Sequence, residues 1–93
     1  MIVGVLTIEL ALFEAQTLKD KRRVIQSIKH KLANRFNVSV AEVGHTDTPK
    51  RCRLGVALVS NETRVVHSQL DQVVDSFRRN TGATLLSYER QIL

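Results

Sequence analysis

Cysteine, aromatic residues and proline are all scarce in this chain of 93 residues. Its single cysteine, Cys52, provides neither an internal disulfide nor a zinc site built from cysteines. Tryptophan is absent, and the aromatic residues are one tyrosine and three phenylalanines. The core must therefore be aliphatic, and we do not expect a surface on which successive bases stack on aromatic rings.

Acidic residues are scarce in one particular segment. Residues 17–36 contain a single acid, Asp20, whereas the remainder of the chain is close to neutral, so the formal net charge of +5 belongs to this segment. A concentrated positive surface attracts polyanions such as nucleic acids or an anionic membrane surface. The cations of the segment are Lys19, Lys21, Arg22, Arg23, Lys29, Lys31 and Arg35.

The apolar opening, residues 1–13, lacks the features of a signal peptide. It has no basic start and no small-residue cleavage motif, and Glu9 interrupts it. It is also too short to span a bilayer. Because no linker, repeat or low-complexity tract divides the sequence, we expect one cytoplasmic domain over residues 1–93 that makes no membrane contact.

Hydrophobic patterning predicts six elements. Apolar residues alternate from Ile2 to Leu12, which predicts a long central strand. Thr17 and Asp20 fit the capping box of a first helix. Strands are predicted from about residue 38 to 44, from 52 to 58 and from 86 to 92, with a second helix capped by Ser60 or Asn61 before the last strand. The two helices carry apolar stripes: Ile25, Ile28, Leu32 and Phe36, then Val66, Leu70, Val73, Val74 and Phe77.

The order strand, helix, strand, strand, helix, strand predicts an α+β fold of the ferredoxin-like split βαβ type. In that arrangement a four-stranded antiparallel sheet carries both helices on one face. The expected core residues are Leu6, Ile8, Ile25, Ile28, Leu32, Val56, Leu58, Leu70, Val73 and Phe77. The opposite sheet face would present Val3, Val5, Thr7 and Ala11, which is apolar enough to favour a partner or a second subunit there.

Two interpretations of the basic first helix remain open. Its long side chains could merely shield the edge of the core while their charges remain in water. Alternatively, they bind phosphates, which the near absence of acids favours, because a solvated helix face normally interleaves both signs. A turn is predicted at residues 45–51, between the second and third strands. The basic residues in it and just after it, Lys50, Arg51 and Arg53, would extend the positive surface if that turn lies near the helix.

No catalytic constellation is visible in the sequence. His30, His45 and His67 do not have the spacing of metal ligands, and no glycine-rich phosphate loop or nucleophile elbow is present. His45 and Asp47 could in principle serve as an acid–base pair, but both lie in a polar turn, where such residues are common without any catalytic role. Cys52 is most simply a small core residue. We therefore expect no enzyme activity, no cofactor and no metal site, although an enzyme for small phosphate-bearing substrates stays a third alternative.

Three stretches resemble the YlxP-like family of small bacterial proteins of unknown function. They are LKDKR at residues 18–22, FNVSVAEV at 36–43 and LGVALVSN at 54–61. The resemblance covers nearly the whole chain and implies a ferredoxin-like fold. Because genes of this family often lie among genes for translation and ribosome maturation, it also implies RNA or the ribosome as the polyanion. It implies no catalytic residues.

The leading hypothesis is therefore an RNA-binding or ribosome-associated module that uses the seven cations of the first helix. The alternative is a homodimeric interaction or regulatory domain with no nucleic-acid contact, its interface formed by the exposed sheet face. A salt titration separates the two, because phosphate contacts weaken as salt rises and apolar association does not. The fold hosts all of these functions and cannot decide among them.

Overall fold

A computed structural model describes residues 1–79 and 82–93. Its elements in chain order are β1 (Ile2–Ala11), α1 (Leu18–Arg35), β2 (Ser39–Gly44), β3 (Arg51–Ser60), α2 (Thr63–Arg78) and β4 (Thr84–Ile92). The strands form one sheet in the order β2-β3-β1-β4, with every neighbouring pair antiparallel. This is the ferredoxin-like arrangement that the sequence predicts, and β1 is a central strand.

The alternation in β1 places one face of the strand beneath the helices. Leu6, Ile8 and Leu10 are fully buried on that face. Gly4 lies on the same face, and a Cβ atom added there would approach Val66 Cγ1 of α2 to 2.5 Å. The backbone of β1 and the side chains of α2 are therefore in direct contact, and a glycine makes this close approach possible.

One aliphatic core lies between the sheet and the two helices. All ten residues that the sequence predicts as core are buried, from Leu6, Ile8 and Leu70, which have no exposed surface, to Ile25, which is 7% exposed. Leu54, Val66 and Cys52 are fully or almost fully buried beside them. The core prediction is confirmed.

The two helices begin differently. Thr17 caps α1: its hydroxyl accepts the Asp20 N–H at 3.1 Å, while the Asp20 carboxylate accepts the Thr17 N–H at 3.1 Å and the Gln16 N–H at 2.9 Å. The prediction that Ser60 or Asn61 caps α2 is wrong. Glu62 is the N-cap residue, and its side chain makes no cap hydrogen bond. The Ser60 hydroxyl accepts the Glu62 N–H at 3.2 Å, so it stabilises the preceding turn rather than the first turn of the helix.

The second face of the sheet carries no helix. Val5 and Thr7 of β1 are half-buried there, and Val59 of β3 and Val43 of β2 are each more than half exposed. Ala11 departs from the prediction because it is only 3% exposed. The apolar strip therefore runs across β1, β3 and β2 rather than along the full length of β1.

Candidate nucleic-acid interface

Helix α1 has one side in the core and its other sides in solvent. Ile25, Ile28 and Leu32 are buried, and they anchor the helix with its opposite side outward. From Lys19 to Arg35 the helix advances ~24 Å at 1.5 Å per residue. Residues on the outward side are therefore presented in rows along a rigid rod rather than on a loop.

Six of the seven predicted cations reach solvent. Lys29 is half-buried and the other five are exposed, and together they form what we call the α1 basic face: Lys19, Arg22, Arg23, Lys29, Lys31 and Arg35. Among the residues that the structure describes, no carboxylate lies within 4.0 Å of any of the six. Elsewhere, Arg64, Arg78 and Arg90 each pair with a carboxylate. None of the six cations is thus held in an ion pair with a described residue within that distance, and Asp20 compensates Arg23 only over a longer range.

Lys21, the seventh predicted cation, does not belong to this surface. It is only 1% exposed, so its assignment as a phosphate ligand is wrong. Its Nζ atom donates to the carbonyl oxygens of His45 at 2.7 Å and Arg51 at 3.3 Å. Nζ also lies 2.7 Å from Glu42 Oε2. The two groups form an ion pair, although the angles between them are not those of a hydrogen bond. Lys21 therefore joins α1 to β2 and to the turn before β3.

Helical spacing in the sequence already indicates the inward position of Lys21. It precedes Ile25 by four residues and Ile28 by seven, so it continues the buried stripe by one turn. Lys21 was nevertheless predicted to be exposed, because lysine is almost never fully buried unless it is paired. Its partner, Glu42, lies on a different element, and the sequence does not reveal that contact.

The turn after β2 is held by polar contacts from three sides. His45 has a φ of 58°, in the left-handed region, and its carbonyl accepts both the Lys21 Nζ and the Thr48 N–H. Its ring atom Nε2 lies 3.1 Å from Glu9 Oε2. The ring thus faces Glu9 in β1, while Asp47 is exposed in the turn. The left-handed backbone at His45 is stabilised by contacts that its neighbours in the fold supply.

The basic residues around this turn do not extend the α1 basic face. Arg53 Nε donates to Glu9, and Arg51 Nη2 lies 3.9 Å from the same carboxylate, on the uncovered side of the sheet. Lys50 Nζ donates to the Phe13 carbonyl at 2.7 Å. The hydrogen bond from Arg53 lowers the pKa of Glu9 below its ordinary value, and His45 adds to this effect. Glu9 therefore offsets part of the positive charge of the two arginines.

Cys52 lies in the core beside the Lys21–Glu42 pair. It is fully buried, and burial together with the negative charge of Glu42 raises the pKa of its thiol to about 12. A thiol of this pKa holds almost no thiolate at neutral pH, and the thiolate is the nucleophilic form. Cys52 is therefore a packing residue, as the sequence indicates.

A cleft of about 200 Å³ opens between the second half of α1 and the C-terminal end of α2. Its buried apolar lining consists of Ile28, Leu32, Phe36 and Phe77. Lys31 and Arg35 of the α1 basic face lie on one side of it, and Ser76 and Arg79 on the other. Arg79 was not predicted from the sequence, because it follows α2 in the chain and comes close to α1 only in the folded protein.

No three His, Cys, Asp or Glu side chains in residues 1–79 and 82–93 are grouped closely enough to hold a metal ion. Within the same ranges, neither helix combines the length and the apolar character needed to cross a bilayer.

The fold and the exposed cations define a small ferredoxin-like protein with one basic helix. The sequence profile of the family described as "Protein of unknown function (DUF503)" matches residues 3–90. The chain belongs to this family.

Proteins similar to the chain include a bacterial relative and a designed protein. The uncharacterized protein YlxP of Bacillus subtilis (strain 168) is 36% identical over 78 residues, which cover 81% of this chain and 85% of the relative. Among solved structures, a de novo designed protein with a ferredoxin fold is 13% identical, with a TM-score of 0.46, and the match covers 99% of this chain and 85% of the designed one.

Proposed function

We propose that the protein is an RNA-binding module whose α1 basic face contacts phosphates, on free RNA or on RNA within a ribosomal particle. The observation that carries the proposal is six cations along ~24 Å of one helix, with no carboxylate within 4.0 Å in the described ranges. Cations that are not paired within the protein are free to exchange bound counterions for phosphates.

RNA fits this surface better than a lipid surface does. A helix that binds at a membrane interface inserts an apolar face among the lipids. In this protein Ile25, Ile28 and Leu32 of α1 are buried in the core and are not available for insertion. Apart from Ala33, the exposed side chains of α1 are charged or polar, so phosphate contacts with little base specificity are the expected mode of binding.

A salt titration with paired variants tests the proposal. If five cations contact single-stranded RNA, the plot of log K against log salt should have a slope of ~−3.5, from ~−0.7 per phosphate. Replacing Arg22, Arg23 and Lys31 together by Gln should flatten the slope by about 2 units for the same reason. All three side chains are exposed, so thermal stability should change little.

The matched control replaces Lys50, Arg64 and Arg78 by Gln. This variant loses the same net charge, but from exposed positions outside the α1 basic face. We expect its slope to stay close to that of the unmodified protein. Equal affinities and slopes in both triple variants would show that only net charge matters and would contradict the proposal.

The uncovered sheet face favours a second candidate, a homodimeric interaction or regulatory domain. Val43 and Val59 are more than half exposed there, and Ala41 and Ala57 add small apolar side chains between them. Contiguous exposed apolar surface marks an interaction site. Because both helices lie on the other side of the sheet, such a dimer would leave both α1 basic faces outward, so the two functions are compatible.

A further inference from the structure

We propose that the cleft between α1 and α2 takes up one unpaired base of the bound RNA and stacks it on the guanidinium group of Arg35. This inference rests on the proposed function and narrows its ligand from RNA in general to single-stranded RNA. A base within a duplex is paired and stacked on its neighbours, and it cannot enter the cleft.

The guanidinium group of Arg35 lies beside a fixed aromatic ring. Its Cζ atom lies 5.1 Å from the centroid of the Phe36 ring, a cation–π distance. Phe36 is only 7% exposed, so packing holds its ring in place and the cation–π contact keeps the guanidinium group beside it. Unpaired RNA bases stack on arginine planes as well as on aromatic rings. The protein thus has a stacking surface even though its aromatic residues are few.

The charge around the cleft and the size of the cleft also suit a nucleotide. Lys31, Arg35 and Arg79 surround the cleft, and within the described ranges no carboxylate lies within 4.0 Å of any of them. The cleft volume, about 200 Å³, is smaller than the ~300–1,000 Å³ typical of sites for drug-sized ligands, and it suits a single base. The apolar lining would receive the base while the three cations meet the phosphates on either side of it.

Continuity with the α1 basic face selects RNA over an acidic peptide as the occupant. Lys31 and Arg35 belong to the α1 basic face and also line the cleft. A strand whose phosphates follow the side of α1 that carries Lys31 and Arg35 is therefore brought to the opening of the cleft. An acidic peptide would need only the cleft and would leave the rest of the basic helix without a ligand.

Fluorescence anisotropy with three labelled RNAs tests the inference: a short single strand, an abasic strand of equal length and a duplex. The base-bearing strand should bind ~10-fold more tightly than the abasic strand, as one stacked base contributes. Arg35→Lys keeps the charge and loses the stacking plane, and Ser76→Leu fills the cleft without changing charge. Both should abolish the preference while the salt slope stays unchanged. Arg64→Lys and Ser68→Leu, at exposed positions on α2 outside the α1 basic face, are the matched controls and should preserve it.

The outcomes separate this inference from the proposed function. Equal binding of the base-bearing and abasic strands, with a steep salt slope, overturns the inference and leaves phosphate binding intact. Absence of salt-dependent binding to every RNA overturns both. An acidic amphipathic peptide whose binding is lost in Ser76→Leu, while RNA binding is unaffected, would assign the cleft to a protein helix and overturn the inference. Thermal unfolding verifies that each variant is folded.

Discussion

At the scale of single residues, Lys21 is expected to contribute strongly to stability. Lys21→Met keeps the aliphatic stem and removes the ammonium group from Glu42 and from two carbonyl oxygens. Breaking a buried pair in this way costs ~3–5 kcal/mol. Because the Glu42 side chain keeps 24% exposure, we expect a loss near the lower end of that range in urea unfolding.

Lys19→Met is the control for Lys21→Met. Lys19 is exposed on the same helix and pairs with no carboxylate among the described residues, so its replacement should change the free energy of unfolding by less than ~0.5 kcal/mol. Equal losses in the two variants would contradict the structural role of Lys21. Folded Lys21→Met protein should also keep its RNA affinity, because Lys21 is not on the α1 basic face.

Glu9 is expected to make stability depend on acidity. Its hydrogen bond from Arg53 lowers its pKa below the ordinary 4.5, and backbone hydrogen bonds from Gln16 and Thr17 lower the pKa of Asp20 below 3.8. A carboxyl group whose pKa is lower in the folded state stabilises the fold above its ordinary pKa, and this contribution is lost as the pH falls through the folded-state value. The free energy of unfolding should therefore decline below about pH 4.5.

Urea unfolding of Glu9→Gln over a pH series isolates this contribution. The variant should be less stable than the unmodified protein at neutral pH, and the difference should shrink as the solution becomes acidic. Glu14→Gln, at an exposed position, should follow the unmodified protein throughout. A constant gap between Glu9→Gln and the unmodified protein down to strong acid would show that Glu9 does not act through its charge.

At the scale of elements, the contact between β1 and α2 allows little added volume. An alanine Cβ at Gly4 would lie 2.5 Å from Val66 Cγ1 and 3.1 Å from Leu70 Cδ1, so α2 would have to move outward. Such overpacking costs ~1–3 kcal/mol. For a small domain this corresponds to a fall in the melting temperature of at least ~4 °C.

Gly55→Ala is the matched substitution on the uncovered face. Its Cβ would lie 3.2 Å from Val43 Cγ1, and Val43 is an exposed side chain on an edge strand that has room to rotate. We therefore expect a much smaller change in melting temperature than for Gly4→Ala. Equal changes in the two variants would contradict the view that α2 is held closely against β1.

Elements whose signals are local were predictable from the sequence, and contacts between elements were not. The alternation in β1 and the Thr17–Asp20 capping box involve residues close in the chain, and both are confirmed. The cap of α2 was predicted wrongly because Ser60 offers the same hydroxyl to a turn as to a helix. Lys21, Glu42 and His45 meet only after β2 is placed beside α1, so the sequence could not show their contact.

At the scale of the whole molecule, we expect a homodimer through the uncovered sheet face. Sedimentation at micromolar concentration should show a species of twice the monomer mass. Val43→Lys combined with Val59→Lys should return it to monomer, because both side chains are exposed on that face. Phe13→Lys, at an exposed position in the segment after β1, should leave the dimer intact. A monomer at these concentrations would contradict the prediction.

The charge distribution of the molecule was only partly predictable. Six of the seven cations chosen from the sequence are on the outer sides of α1, because a run of consecutive helical positions determines which way they point. The fold then adds Arg79 to their neighbourhood and pairs Arg51 and Arg53 with Glu9 on the other side of the sheet. Those placements depend on how α2 and β3 pack, which spacing along the chain does not encode.

Because Cys52 is buried, the reactivity of its thiol reports on transient opening of the core. In the native state the thiol is sealed in the core with a pKa of about 12, so a thiol-specific reagent can react only with molecules that have transiently opened. Because Lys21 and Glu42 lie close to the sulfur, we expect an opening that separates α1 from β2 to expose it. The labelling rate of the single cysteine is then expected to rise in Lys21→Met, which weakens the contact between α1 and β2.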